Sequence, residues 1–85
     1  MFTNKAGDGQ NNICGNQIMK LRKDLHKSQR QLADMLQLAG LDIDKNAIQR
    51  IEAGKRFVTD IELVYFSQVL NTSFEELLGA SQAEK

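Results

Sequence analysis

Proline is absent from this 85-residue chain, and cysteine and histidine occur once each. The lone Cys14 excludes an internal disulfide and a zinc site built on four cysteines, and it points to a reducing cytoplasm as the natural setting. With His26 as the one histidine there is little material for acid–base catalysis, and no glycine-rich loop of the phosphate-cradling kind is present. An enzyme is therefore disfavoured, and no metal, cofactor or small-molecule ligand is indicated. Long apolar runs are lacking too. The longest, Leu63 to Phe66, is far short of the about 20 residues a bilayer span needs. The opening MFTNKAGDGQNN likewise has no apolar stretch of the secretory kind, so neither membrane insertion nor secretion is expected. Net charge is also missing, since 11 basic and 11 acidic residues cancel. Taken as a total, that zero speaks against a partner recognised through phosphates.

What is present is an ordinary globular balance, 41% hydrophobic and 26% charged, in a chain of single-domain size. Residues 1–12 carry Gly7, Gly9, Asn4, Asn11 and Asn12 and almost no large apolar side chains, so burial cannot offset their ordering entropy. They read as a flexible tail, and residues 80–85 as a frayed end. Residues 13–79 form the expected domain. With dense helix formers and no strand-like alternation, it reads as all-α.

Five helices follow from caps and spacing. Ile18, Leu21 and Leu25 share one face of the first. Ser28 and Gln31 form a capping box for the second, which carries Leu32, Ala33, Leu36 and Ala39 and stops at Gly40. Asp44 caps the third, with Ile48 and Ile51 inward and Gly54 beyond its end. Thr59 and Glu62 box the fourth, whose Ile61, Leu63, Val64, Phe66, Val69 and Leu70 cover more than one face. Ser73 and Glu76 open a short fifth helix with Phe74, Leu77 and Leu78, halted by Gly79.

The charge is segregated along the chain. Residues 1–58 hold ten Lys or Arg against six Asp or Glu, and residues 59–85 one against five, giving +4 and −4. The zero is a dipole. Its positive part gathers as Lys20, Arg22, Lys23, Lys27 and Arg30 near the first two helices, and as Lys45, Arg50, Lys55 and Arg56 around the third. On charge alone these are either solvated helix faces or a surface that orients a polyanion.

The third helix favours the polyanion. Burying Ile48 and Ile51 leaves Lys45, Asn46, Gln49 and Arg50 outward, side chains that hydrogen-bond base edges, with no acidic residue between Lys45 and Ile51. Two helices joined so that the second presents such residues are what a helix-turn-helix uses in the major groove. SQRQLADML at 28–36, AIQRIEAGKR at 47–56, FSQVLNTSFEELLG at 66–79 and the Leu21–Arg22 pair together resemble the Cro and phage-repressor-like, XRE-type helix-turn-helix family, over nearly all of residues 15–79.

That resemblance implies a compact five-helix, lambda-repressor-like fold and sequence-specific binding of double-stranded DNA, as in a bacterial or phage transcriptional regulator. It implies base reading by Lys45, Asn46, Gln49 and Arg50. Phosphate contact falls to Gln29 with its neighbours Ser28 and Arg30, and to Lys55 and Arg56 after the recognition helix. Cations just past a helix end also suit its dipole, a second reading of Lys55 and Arg56. Arg22 and Glu52 match a structural ion pair between the first and third helices. Here the segment from Gln37 to Ile43 is longer than in the family's shorter members, so a longer second helix and a loop replace the tight turn. A domain this small needs two half-sites for useful affinity, so a homodimer is expected, with Ile61, Val64, Tyr65 and Val69 of the fourth helix as interface candidates and core burial as the alternative for at least two of them. The rival reading is a protein-interaction module, antitoxin-like or an accessory subunit, with weak or no DNA binding.

Overall fold

The computed structural model describes residues 11–78 and contains five helices: α1 (Gly15–Asp24), α2 (Gln29–Ala39), α3 (Lys45–Glu52), α4 (Asp60–Leu70) and α5 (Phe74–Leu78). No strand occurs among the described residues, and no helix there is long and apolar enough to cross a membrane. Gly79, residues 80–85 and most of the expected N-terminal tail lie outside the described residues.

The helix starts are local chemistry. Ser28 Oγ accepts from the Gln31 amide at 3.0 Å while Gln31 Oε1 accepts from the Ser28 amide at 2.8 Å, and Thr59 with Glu62 repeats the exchange. Asp44 accepts from the Ala47 amide at 2.8 Å and so opens α3. At α5 the box is half made. Ser73 Oγ caps the Glu76 amide, but the Glu76 carboxylate turns to the Thr72 hydroxyl instead.

The ends of α1 to α4 share a second device. Each closes with a left-handed residue and two reverse hydrogen bonds, for example Gly40 N–H to Gln37 O at 3.1 Å and Leu41 N–H to Leu36 O at 2.9 Å. Glycine supplies that conformation at Gly40 and Gly54, whereas Asn71 (φ 54°) and His26 (φ 58°) adopt it with a side chain. His26 is thus an exposed helix-end residue.

Ile18, Leu32, Leu36, Ile48, Ile51, Phe66 and Leu77 are fully enclosed, one or two from each helix, so no helix is stable apart from the others. Burying a side chain such as Phe66 contributes about 1.5–3 kcal/mol. α2 packs on α3 and α4, and α1 on α3, α4 and α5. Gly15 makes the α1–α3 approach possible, because a Cβ there would run into the Ile51 carbonyl oxygen.

The structure corrects one sequence expectation, the assignment of Asn11 and Asn12, and refines two others, the α2–α3 loop and the role of the apolar residues of α4. Asn11 and Asn12, assigned to the tail, are hydrogen-bonded to the segment following α3. Between α2 and α3 the chain folds Ile43 into the core and fixes its carbonyl with a 2.8 Å bond from Gln37 Nε2, so the expected loop is ordered by its own apolar anchor. Along α4, Tyr65 and Val69 pack against the core while Ile61 and Val64 stay exposed, which removes the first two from the interface candidates.

Candidate nucleic-acid interface

Helix α3 has two faces of different chemistry. Ile48, Ile51 and Glu52 are buried, while Lys45, Asn46, Gln49 and Arg50 are all exposed. The spacing i, i+1, i+4, i+5 sets these four on one side of the helix, a continuous row of hydrogen-bonding groups.

The buried Glu52 explains how that row is aimed. Its carboxylate takes two hydrogen bonds from Arg22, Nε at 2.7 Å and Nη2 at 2.9 Å, with both side chains at most one-tenth exposed. Arg22 Nη1 also donates to the Lys27 carbonyl at 2.7 Å, so one guanidinium joins α1, the α1–α2 turn and α3. The Glu52 hydrogen bond raises the Arg22 pKa above its ordinary value against the opposing effect of burial.

Two residues expected on phosphates have partners within the protein. Gln29 Nε2 donates to Glu52 Oε1 at 3.0 Å, because a carboxylate paired with one arginine still has lone pairs to fill. That bond uses one of the two amide protons. Arg56 makes two 3.0 Å hydrogen bonds to Glu62 and a third to the Phe57 carbonyl, tying the segment after α3 to the start of α4. Burial pushes the Glu62 carboxyl up, but hydrogen bonds from Arg56 and the Thr59 amide outweigh it and hold the group below its ordinary value. Of the remaining candidates, Ser28, Arg30 and Lys55 are exposed.

With Arg22 and Arg56 in ion pairs, the basic groups outside ion pairs among the described residues are Lys20, Lys23, Lys27, Arg30, Lys45, Arg50 and Lys55. Arg30, Lys45 and Asn46 meet at a surface depression of about 370 Å³ between α2 and the start of α3. Asp34, Gln37 and Asp44 complete its lining. In the sequence Asp44 was singled out only as a helix cap and Asp34 not at all, because their spacing to Arg30 and Lys45 appears only once α2 and α3 are packed. The two carboxylates make this part of the surface mixed in sign; a carboxylate repels phosphate but accepts a hydrogen bond from the cytosine amino group.

Cys14 lies in the core, where burial pushes its thiol up to about 11, so it packs rather than reacts. No cluster of three or more metal-ligating side chains occurs among the described residues.

The helix-turn-helix family model matches residues 18–77, which takes in all of α2, α3 and α4. Among solved structures, the chain is similar to the restriction-modification controller protein C.AhdI from Aeromonas hydrophila, with a TM-score of 0.65, 23% identity, and coverage of 75% of this chain and 86% of that one. No curated protein sequence matches. The paired helices α2 and α3, the buried brace behind α3 and the family match over most of the chain lead to one assignment: the protein belongs to the XRE-type helix-turn-helix family of DNA-binding transcriptional regulators.

Proposed function

We propose that the protein reads double-stranded DNA by laying α3 in the major groove, with Lys45, Asn46, Gln49 and Arg50 at base edges and Ser28, Arg30 and Lys55 on flanking phosphates. The observation that carries this reading is the exposed row of four on α3, backed by a buried ion pair that fixes the helix to α1. Arginine and lysine match guanine acceptors, and asparagine and glutamine match adenine, so the row has the chemistry to discriminate among base pairs. Gln29 reaches a phosphate only through its second amide proton, and Arg56 only by giving up Glu62. Their contributions are accordingly secondary. The reading is one of binding without catalysis.

Useful affinity requires two such modules on half-sites spaced by about 10–10.5 base pairs or a multiple of that. The second copy fits the α4 surface, where Ile61 and Val64, 64% and 41% exposed, lie one helical turn apart.

Selection of bound sites from random DNA, followed by footprinting of two variants, tests the division of roles. Arg50→Ala should relax preference at one base position with a loss of about 1–3 kcal/mol there, whereas Lys55→Ala should weaken all sequences alike. Indistinguishable specificity profiles for the two variants would overturn it.

A further inference from the structure

The carbonyl oxygens around the end of α3 are held from an unexpected direction. Helix ends leave carbonyls without intrahelical partners, and these are usually met by water or by the following turn. Here two consecutive asparagines from before α1 meet them. Asn12 Nδ2 donates to Ile51 O at 3.1 Å and Arg56 O at 2.8 Å, while its Oδ1 accepts from the Gly15 amide at 2.8 Å. The Asn11 backbone amide donates to Gly54 O at 2.8 Å and its side-chain Nδ2 to Lys55 O at 2.9 Å.

The two bonds from Asn11 fall on either side of one residue. The Gly54–Lys55 peptide plane is fixed by Asn11 at its carbonyl and by Arg50 at its amide, since Lys55 N–H donates to Arg50 O at 2.9 Å. The Lys55–Arg56 plane is fixed at its carbonyl by the Asn11 side chain. With both planes held, φ and ψ of Lys55 are set, and so is the direction in which its Cβ leaves the backbone. Lys55 itself is exposed, and its side chain makes no hydrogen bond or ion pair among the described residues.

We propose that Asn11 is a positioning residue for DNA binding, which aims the Lys55 ammonium at a backbone phosphate by bracketing the two peptide planes around Lys55. This rests on the reading of Lys55 as a phosphate contact. It goes beyond that reading by giving a role to a residue on a different segment, through its bonds to the backbone around Lys55. The advantage is entropic, because a lysine on a fixed stem loses less freedom on binding than one on a mobile turn.

A double-mutant cycle on binding to a random-sequence duplex, followed by fluorescence anisotropy across about 50–200 mM salt, tests the proposal. Asn11→Ala removes one exposed side-chain bond and leaves the backbone amide in place, so the fold should persist by circular dichroism. It should weaken binding about threefold to tenfold and make the log–log salt slope shallower, by at most the ~0.9 expected of one phosphate contact. In a Lys55→Ala background the same change should cost less than about twofold, because the group it aims is gone. Equal losses in both backgrounds, or no loss in the wild-type background, would show that Asn11 does not act through Lys55. If Lys55→Ala by itself leaves affinity and slope unchanged, the phosphate role of Lys55 fails first and the proposal falls with it.

Discussion

Arg22 reaches three parts of the molecule from one side chain, and its value depends on Glu52 being there to receive it. A buried pair costs desolvation, and removing one partner strands the other charge. Arg22→Met or Glu52→Leu alone should therefore each cost about 3–5 kcal/mol. The double variant should cost clearly less than the sum, as read from urea midpoints, and additive losses would count against the brace. Gln29 adds a third member, so Glu52→Leu also frees its amide. The pairing of Arg22 with Glu52 was legible through the family resemblance. The partner of Gln29 was not, because a glutamine at a helix start looks the same in sequence whether it bonds inward or outward. The partner of Arg56 was not legible for the same reason: Glu62 lies six positions further on, and only the turn between them decides that they meet.

At the level of the helix, beginnings and ends were legible because caps depend on residues within one turn of each other. Ser28, Asp44 and Thr59 cap as their spacing requires. The end of α1 was not legible, since no glycine marks it. His26 takes the left-handed conformation there at a cost that glycine avoids. His26→Gly should therefore raise stability by on the order of 0.5–1 kcal/mol, the relief of strain exceeding the added entropy of the unfolded chain. A higher urea midpoint at unchanged m-value is the expected result, and a lower one would mean that the imidazole contributes contacts of its own. Gly15 lay outside the sequence reading for a different reason. It stands inside α1 rather than at a turn, and its need for a missing side chain comes from Ile51 of α3, 36 positions along the chain.

Across the whole molecule, the charge separation read from the sequence is sharpened by pairing. Arg22 and Arg56 drop out of the free positive charge, and Lys45, Arg50 and Lys55 remain on or just after α3. The exposed Ile61 and Val64 sit on α4, behind that surface in chain order, with Phe57 half-exposed just before the helix. If a second copy covers them, sedimentation equilibrium should show a reversible monomer–dimer transition. Ile61→Lys should shift it toward monomer while leaving helical content intact, because the side chain is outside the core. A dimer that Ile61→Lys leaves intact would place the interface elsewhere, and a mass that stays monomeric at all concentrations would remove it.

The sequence by itself determined the class of fold, the starts of α2 to α5 and the outward row on α3. These follow from periodicity and from hydrogen bonds between residues three or four apart, which any local stretch can express. Only the tertiary structure decided that Asn11 and Asn12 bond to the end of α3, that Ile43 anchors the α2–α3 connection, that Gln29 bonds to Glu52 and Arg56 to Glu62, and that Tyr65 and Val69 pack on the core while Ile61 and Val64 do not. Each of those outcomes depends on which distant surface arrives against a given side chain. A polar group takes the partner that packing brings within about 3 Å, and an apolar one is buried only where another helix lies over it.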